Sequence, residues 1–237
     1  MFRFSALSQF PWNRRRAGFF LSLAAAALLL GATAARAQFG GQAATPVHDA
    51  TALHPPAGAR VAIVEFDDME CPDCAAANPV IRAAAEKYHI PWIRHDFPLP
   101  FHNWSFQAAV NARWFDTKSK DLGNQYRDAV FANQISIETR ADLLQFTQKF
   151  AQSHGIALPF AIDPLGSLAG EVKADYALGQ RTGIEHTPTI WIVTRGSKGP
   201  PYIEVVSWRT QLYQIIDRAL ADTRSAAPAS GRRVAHK

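Results

Sequence analysis

Cys71 and Cys74 are the only two cysteines among the 237 residues, and a Pro-Asp pair separates them. They stand where an apolar, β-branched run, Val61-Ala62-Ile63-Val64-Glu65-Phe66, meets a helix-prone run from Pro79 to Lys87. The first run reads as a buried strand and the second as the body of a helix. A helix entered here opens on amides that lack intrahelical acceptors, so its first turn carries partial positive charge. A thiol at that place gives up its proton below the ~8.5 of a free cysteine. The spacing predicts a reactive thiolate with a second thiol one turn away. Pro72 suits the first helical position, because it has no amide to leave unpaired.

Two blander readings compete. A structural zinc site needs four ligands, usually two such pairs or a Cys pair joined by a His pair, and the chain has one Cys pair. No metal and no cofactor is expected. A purely structural disulfide here would close a loop over two residues and restrict the unfolded chain very little. Redox chemistry is the stronger expectation.

The N-terminal 37 residues read as a targeting segment. Arg14-Arg15-Arg16 precede an apolar stretch from Gly18 to Gly31, and Ala35-Arg36-Ala37 offers the small residues that signal peptidase reads. Cleavage after Ala37 and export, with the periplasm as destination, are the expectation. The whole chain has 25 Lys and Arg against 20 Asp and Glu, and five of the arginines fall in this segment with no acid. The mature chain is therefore neutral, and its charge gives no support to nucleic-acid binding. In an oxidising compartment a lone close pair that staples nothing is free for chemistry.

Residues 38–60, rich in Ala, Gly, Pro and His, read as a leader or linker. The helix after Pro72 is expected to pause or kink at Pro79 and to run to Tyr88. Pro91 to Phe97 alternates and predicts a second strand, ended by Pro98 and Pro100. From about 102 to 162 apolar residues recur at helical spacing without a strand signal, so this is a helical block. A further helix is expected from Gly166 to Arg181, with Gly183 as its stop. Thr189 to Val193 and Tyr202 to Val206 predict a hairpin, and Trp208 to Ala221 a closing helix. Residues 223–237 read as a disordered basic tail.

This order, with the C-x-x-C opening a helix after the first strand, Thr187-Pro188-Thr189 leading into a late strand, and Pro98-Leu99-Pro100-Phe101-His102 entering the helical block, resembles the thioredoxin superfamily and its DsbA-like branch. The resemblance covers about residues 61–222. It implies an α/β, thioredoxin-like fold with a helical insertion between the second and third core strands. It also implies that Cys71 is the exposed nucleophile and that Cys74 resolves the mixed disulfide. Pro188 would be cis and face the cysteines, with the Thr187 backbone offered to an extended client strand. Glu65, six positions before Cys71, matches the buried acid that such enzymes carry beneath the site, where it would exchange protons with Cys74. Asp73 departs from the His of the strongest oxidants in the family. An anion beside the thiolate would leave the couple less oxidising.

Of the other candidates, His102 and His186 are expected in surface or capping roles. Trp104, Phe106, Trp114, Phe115 and Trp191 are expected in the core. Asp67, Asp68 and Glu70 are expected mostly in solvent. The resemblance implies a thiol–disulfide oxidoreductase acting on exported client proteins, with a membrane redox partner that recycles its disulfide. A reductase fed by a membrane electron donor, and a chaperone-like peptide-binding module that would still work without its cysteines, are the alternatives.

Overall fold

The computed structural model describes residues 44–225. The expected signal segment, its cleavage site and the tail beyond Ser225 lie outside the described residues. Strand β1, Val61–Asp67, pairs in parallel with β2, Trp92–Asp96, and antiparallel with β3, Thr189–Thr194. The short β4, Tyr202–Glu204, pairs antiparallel with β3, which completes a mixed sheet in the order β2-β1-β3-β4. All seven residues of β1 are buried, as a central strand covered on both faces requires.

Helix α1, Pro72–Tyr88, and helix α6, Trp208–Ser225, cover one face of the sheet. There Val61 and Ile63 of β1 and Ile190 and Ile192 of β3 pack with Ile81, Leu212 and Ile216. The alternate residues, Ala62, Val64 and Phe66, meet Phe97, Ile184 and Trp191 on the opposite face. Each such buried aliphatic side chain contributes about 1.5–3 kcal/mol. Pro79 does not break α1. It sits on the exposed side of the helix, which continues to His89 in the left-handed conformation (φ 51°).

Between β2 and β3 the chain forms α2 (Ser105–Asp116), α3 (Lys120–Asn133), a 3₁₀ turn (Gln134–Ser136), α4 (Arg140–Ser153) and α5 (Ser167–Thr182). Side chains fix the helix starts. The Ser119 hydroxyl accepts from Leu122 N–H, and Thr139 and Asp142 cap each other at the start of α4. Gly183 ends α5 at φ 103°, and a Cβ there would lie 2.4 Å from the Pro46 carbonyl oxygen.

Three expectations need adjustment. Residues 44–60 form no helix or strand, yet they are packed onto the body of the protein. Leu53 is buried, and Thr45 donates from its N–H and its hydroxyl to the Glu204 carboxylate at 2.6 and 2.9 Å. The closing helix runs three residues past Asp222. Thr223, assigned to the tail, is buried and donates its hydroxyl to Ala219 O at 3.0 Å. Phe106 is 37% exposed, while the other four aromatic residues expected in the core are buried there.

Candidate active site

The C-terminal end of β1 delivers the chain to the start of α1, and the two cysteines straddle that start. Cys71 is the N-cap residue, in extended backbone (φ −79°, ψ 121°), and Pro72 takes the first helical position. Cys71 keeps 7% of its surface and Cys74 none, which makes Cys71 the thiol a partner reaches. Cys71 Sγ lies 3.3 Å from the carbonyl oxygen of Thr187. The Thr187–Pro188 bond is cis.

The surroundings separate the two thiols. Hydrogen bonding from Cys74 is the largest influence on Cys71 and favours its thiolate. The Thr187 side chain and the backbone N–H groups of Cys74 and Asp73 add to this against the cost of burial, and Cys71 falls to about 6. Burial, then the hydrogen bond to Cys71 and its negative charge, drive Cys74 well above an ordinary thiol. The pair thus contains one acidic, accessible thiol and one buried thiol that holds its proton.

Glu65 continues the Val61–Ile63 face of β1 that meets α1, and it is buried. The Trp92 indole donates to its Oε2 at 2.9 Å. Burial, followed by the charge of Asp67, pushes Glu65 up to about 8. Its charge is among those that raise Cys74, so the two groups sense each other. Arg94 closes this buried layer. Its Nε and Nη2 donate to Asp67 Oδ2 at 3.0 and 2.8 Å, and its guanidinium lies 4.5 Å from the Trp92 ring centroid.

The acidic residues after Phe66 are not solvated. Asp67 and Asp68 are buried and Glu70 is half-buried. Asp68 Oδ2 accepts from Leu99 N–H at 2.6 Å and from His102 Nδ1 at 2.7 Å, while Oδ1 accepts from Glu70 N–H and the Ser105 hydroxyl. Glu70 accepts from the Trp104 and Ser105 amides at the start of α2, where the helix dipole favours an anion. Burial is possible because each carboxylate has donors waiting. His102 therefore orients on Asp68, and His186 on the Thr189 hydroxyl at 3.2 Å.

The Asp73 carboxylate pairs with Arg209 at 3.1 Å, and the Arg209 guanidinium stacks 3.9 Å from the Trp208 ring centroid. Asp73, His186, Thr187, Pro188, Trp208 and Arg209 help line a cavity of about 140 Å³ beside the pair. Among the described residues no group of three or more His, Cys, Asp or Glu is placed to hold a metal ion.

Sequence reasoning missed Trp92, Arg94, Gln134 and Arg209. For Arg94 a signal existed: it stands opposite Glu65 in the β1–β2 register, and a cation beside the acids of a buried strand is their natural partner.

A dithiol at a strand–helix junction, faced by a cis-proline on this sheet, defines a protein of the thioredoxin fold with a helical insertion. A family model described as thioredoxin matches residues 56–207, and the chain belongs to that family. Over 157 residues it is 26% identical to the Na(+)/H(+) antiporter NhaA 3 of Salinispora tropica, an alignment covering 64% of this chain and 23% of that protein. The chain thus spans less than a quarter of that relative's length. Among solved structures it is similar to alpha-DsbA1 of Wolbachia pipientis (TM-score 0.59, 16% identity, 73% of this chain and 92% of that one). It is also similar to DsbA2 of Pseudomonas aeruginosa (0.52, 19%, 76% and 98%) and to a periplasmic thioredoxin-like protein of Salmonella enterica serovar Typhimurium (0.53, 20%, 68% and 84%). The fold is DsbA-like.

Proposed function

We propose that this protein is an exported thiol–disulfide oxidoreductase that passes a disulfide between itself and client proteins through Cys71 and Cys74. The observation that carries the reading is the placing of the two thiols: Cys71 at the N-cap of α1, still accessible and 3.3 Å from the carbonyl oxygen that precedes the cis Pro188, and Cys74 fully buried one turn on. From the disulfide form, a client thiolate attacks Cys71 Sγ. The Cys71–Cys74 bond breaks, a mixed disulfide forms, and Cys74 leaves with the electron pair and takes up a proton. Glu65, protonated up to about pH 8, is the nearby store for that proton. A second client thiolate attacks the client sulfur and releases Cys71 as thiolate. The client gains one disulfide, and the protein retains two electrons as a dithiol.

A leaving thiol of low pKa departs readily, and a stabilised thiolate favours the dithiol form of the pair. Both effects support donation of the disulfide, with a membrane redox partner withdrawing the electrons afterwards. The Thr187 backbone, beside Cys71, provides the edge along which an extended client strand pairs. Export is supported by the arginines, apolar stretch and small-residue site of residues 1–37. The periplasmic setting named for the Salmonella relative agrees with it.

The test is a single turnover. The oxidised protein is mixed with an equimolar reduced, unfolded polypeptide containing two cysteines, and thiols are counted in both by mass. The expected result is one disulfide gained by the client for each dithiol formed in the protein. A client that stays reduced contradicts the proposal. Protection of clients from aggregation that survives replacement of both cysteines by serine would favour a chaperone-like module instead.

A further inference from the structure

One side chain of the helical insertion reaches the backbone carbonyls of the redox turn. Gln134 opens the 3₁₀ turn between α3 and α4, half-buried between exposed Asn133 and exposed Ile135. Its Nε2 donates to Met69 O at 2.9 Å and to Cys71 O at 3.0 Å. One amide group thus spends both hydrogens on the two carbonyls that bracket Glu70. The Cys71 carbonyl is also the acceptor that starts α1, taking Ala75 N–H at 3.1 Å. No side-chain cap holds this end of the helix.

We propose that Gln134 is a positioning residue for thiol exchange, pinning the Cys71 carbonyl so that the first amides of α1 and the Thr187 loop stay aimed at Cys71 Sγ. The direction of a carbonyl fixes the rotation about the Cα–C bond of its residue. At Cys71 that rotation sets where Sγ lies relative to the Asp73 and Cys74 amides that follow. Both amides help hold the thiol down. Without Gln134 the carbonyl keeps its helical bond from Ala75 but loses the sideways restraint, and the amides stabilise the thiolate for less of the time. The insertion then does more than cover the core, since its hydrogen bond to the nucleophile's own backbone sets the reactivity of that nucleophile.

This inference rests on the redox reading of Cys71, and the titration that tests it does not need a client. Gln134→Met keeps the length of the side chain and removes both donors, and Gln134→Ala serves as a second variant if Met disturbs packing. The reduced proteins are titrated by thiolate absorbance, with Cys71 also alkylated by iodoacetamide at pH 6. Expected is an upward shift of the Cys71 midpoint of about one unit, corresponding to about a tenfold loss of thiolate in the acid limb and a matching drop in alkylation rate. A folded variant with the wild-type midpoint and alkylation rate overturns the inference, even if its thermal stability falls. If the wild-type protein fails the single-turnover test while Gln134→Met still moves the midpoint, the redox function fails and the positioning role stands.

Discussion

Cys71 and Thr187, separated by 116 positions in the chain, meet at 3.3 Å between thiol sulfur and carbonyl oxygen. The contact sets the Cys71 thiol against the loop of the cis Pro188. The acidity of that thiol is set by its neighbours, and the consequences can be measured.

The Cys71 thiol, at about 6 against an ordinary 9.0, is an acid whose folded value is depressed. Its contribution to the stability of the dithiol form is complete above the unfolded value. It is lost as pH falls from 9 through 6, up to about 4 kcal/mol. The disulfide form has no such group. Urea unfolding of both forms at pH 5.5 and 8.5 is expected to show the dithiol form gaining a few kcal/mol relative to the disulfide form at the higher pH. A difference that does not change with pH contradicts the acidity assigned to Cys71.

Glu65 behaves in the opposite sense. Its folded value, about 8, lies above the ordinary 4.5, so the folded state retains a proton that the unfolded state has released. Stability is lost as pH rises between those values, on the order of 4 kcal/mol. In the disulfide form, Glu65→Gln is expected to remove this decline, leaving the variant close to wild type at pH 5 and more stable at pH 8. The same substitution should slow release of Cys74 at neutral pH, because the nearby proton store is gone. Parallel stability curves for the two proteins would place Glu65 outside the titrating layer.

Asp73 and Arg209 form an exposed pair, so each affects Cys71 only modestly. Asp73→Asn is expected to lower the Cys71 midpoint by less than about one unit. Arg209→Gln, which leaves the carboxylate uncompensated, is expected to raise it by a similar amount. The double variant should lie between them. Shifts in the same direction would show that the pair acts by some route other than charge.

Much of this was legible in the sequence, for definite reasons. The sheet strands and helices follow period and turn chemistry. The redox pair stands out because C-x-x-C at a strand end has few other uses, and strand alternation from Val61 places Glu65 on the inner face. The burial of Asp67, Asp68 and Glu70 was not legible, since a carboxylate's burial depends on donors from distant segments. Here they come from Arg94, Leu99, His102 and the opening amides of α2. For the same reason the cation paired with Asp73 was not legible. That cation, Arg209, lies 136 positions away on the closing helix. Gln134 carries no mark of chemistry in a helical block whose pattern reports only packing.

The central claim is that the mixed disulfide with a client forms on Cys71 and that Cys74 is the thiol able to displace the client from it, and trapping tests it most directly. Cys71→Ser and Cys74→Ser variants are expressed in cells, free thiols are blocked with acid and alkylating agent, and disulfide-linked complexes are separated without reductant. Cys74→Ser is expected to accumulate mixed disulfides that reductant releases, because the deeper thiol can no longer displace the client, and Cys71→Ser to accumulate none. Complexes on Cys71→Ser but not on Cys74→Ser, or on neither variant, would contradict the account.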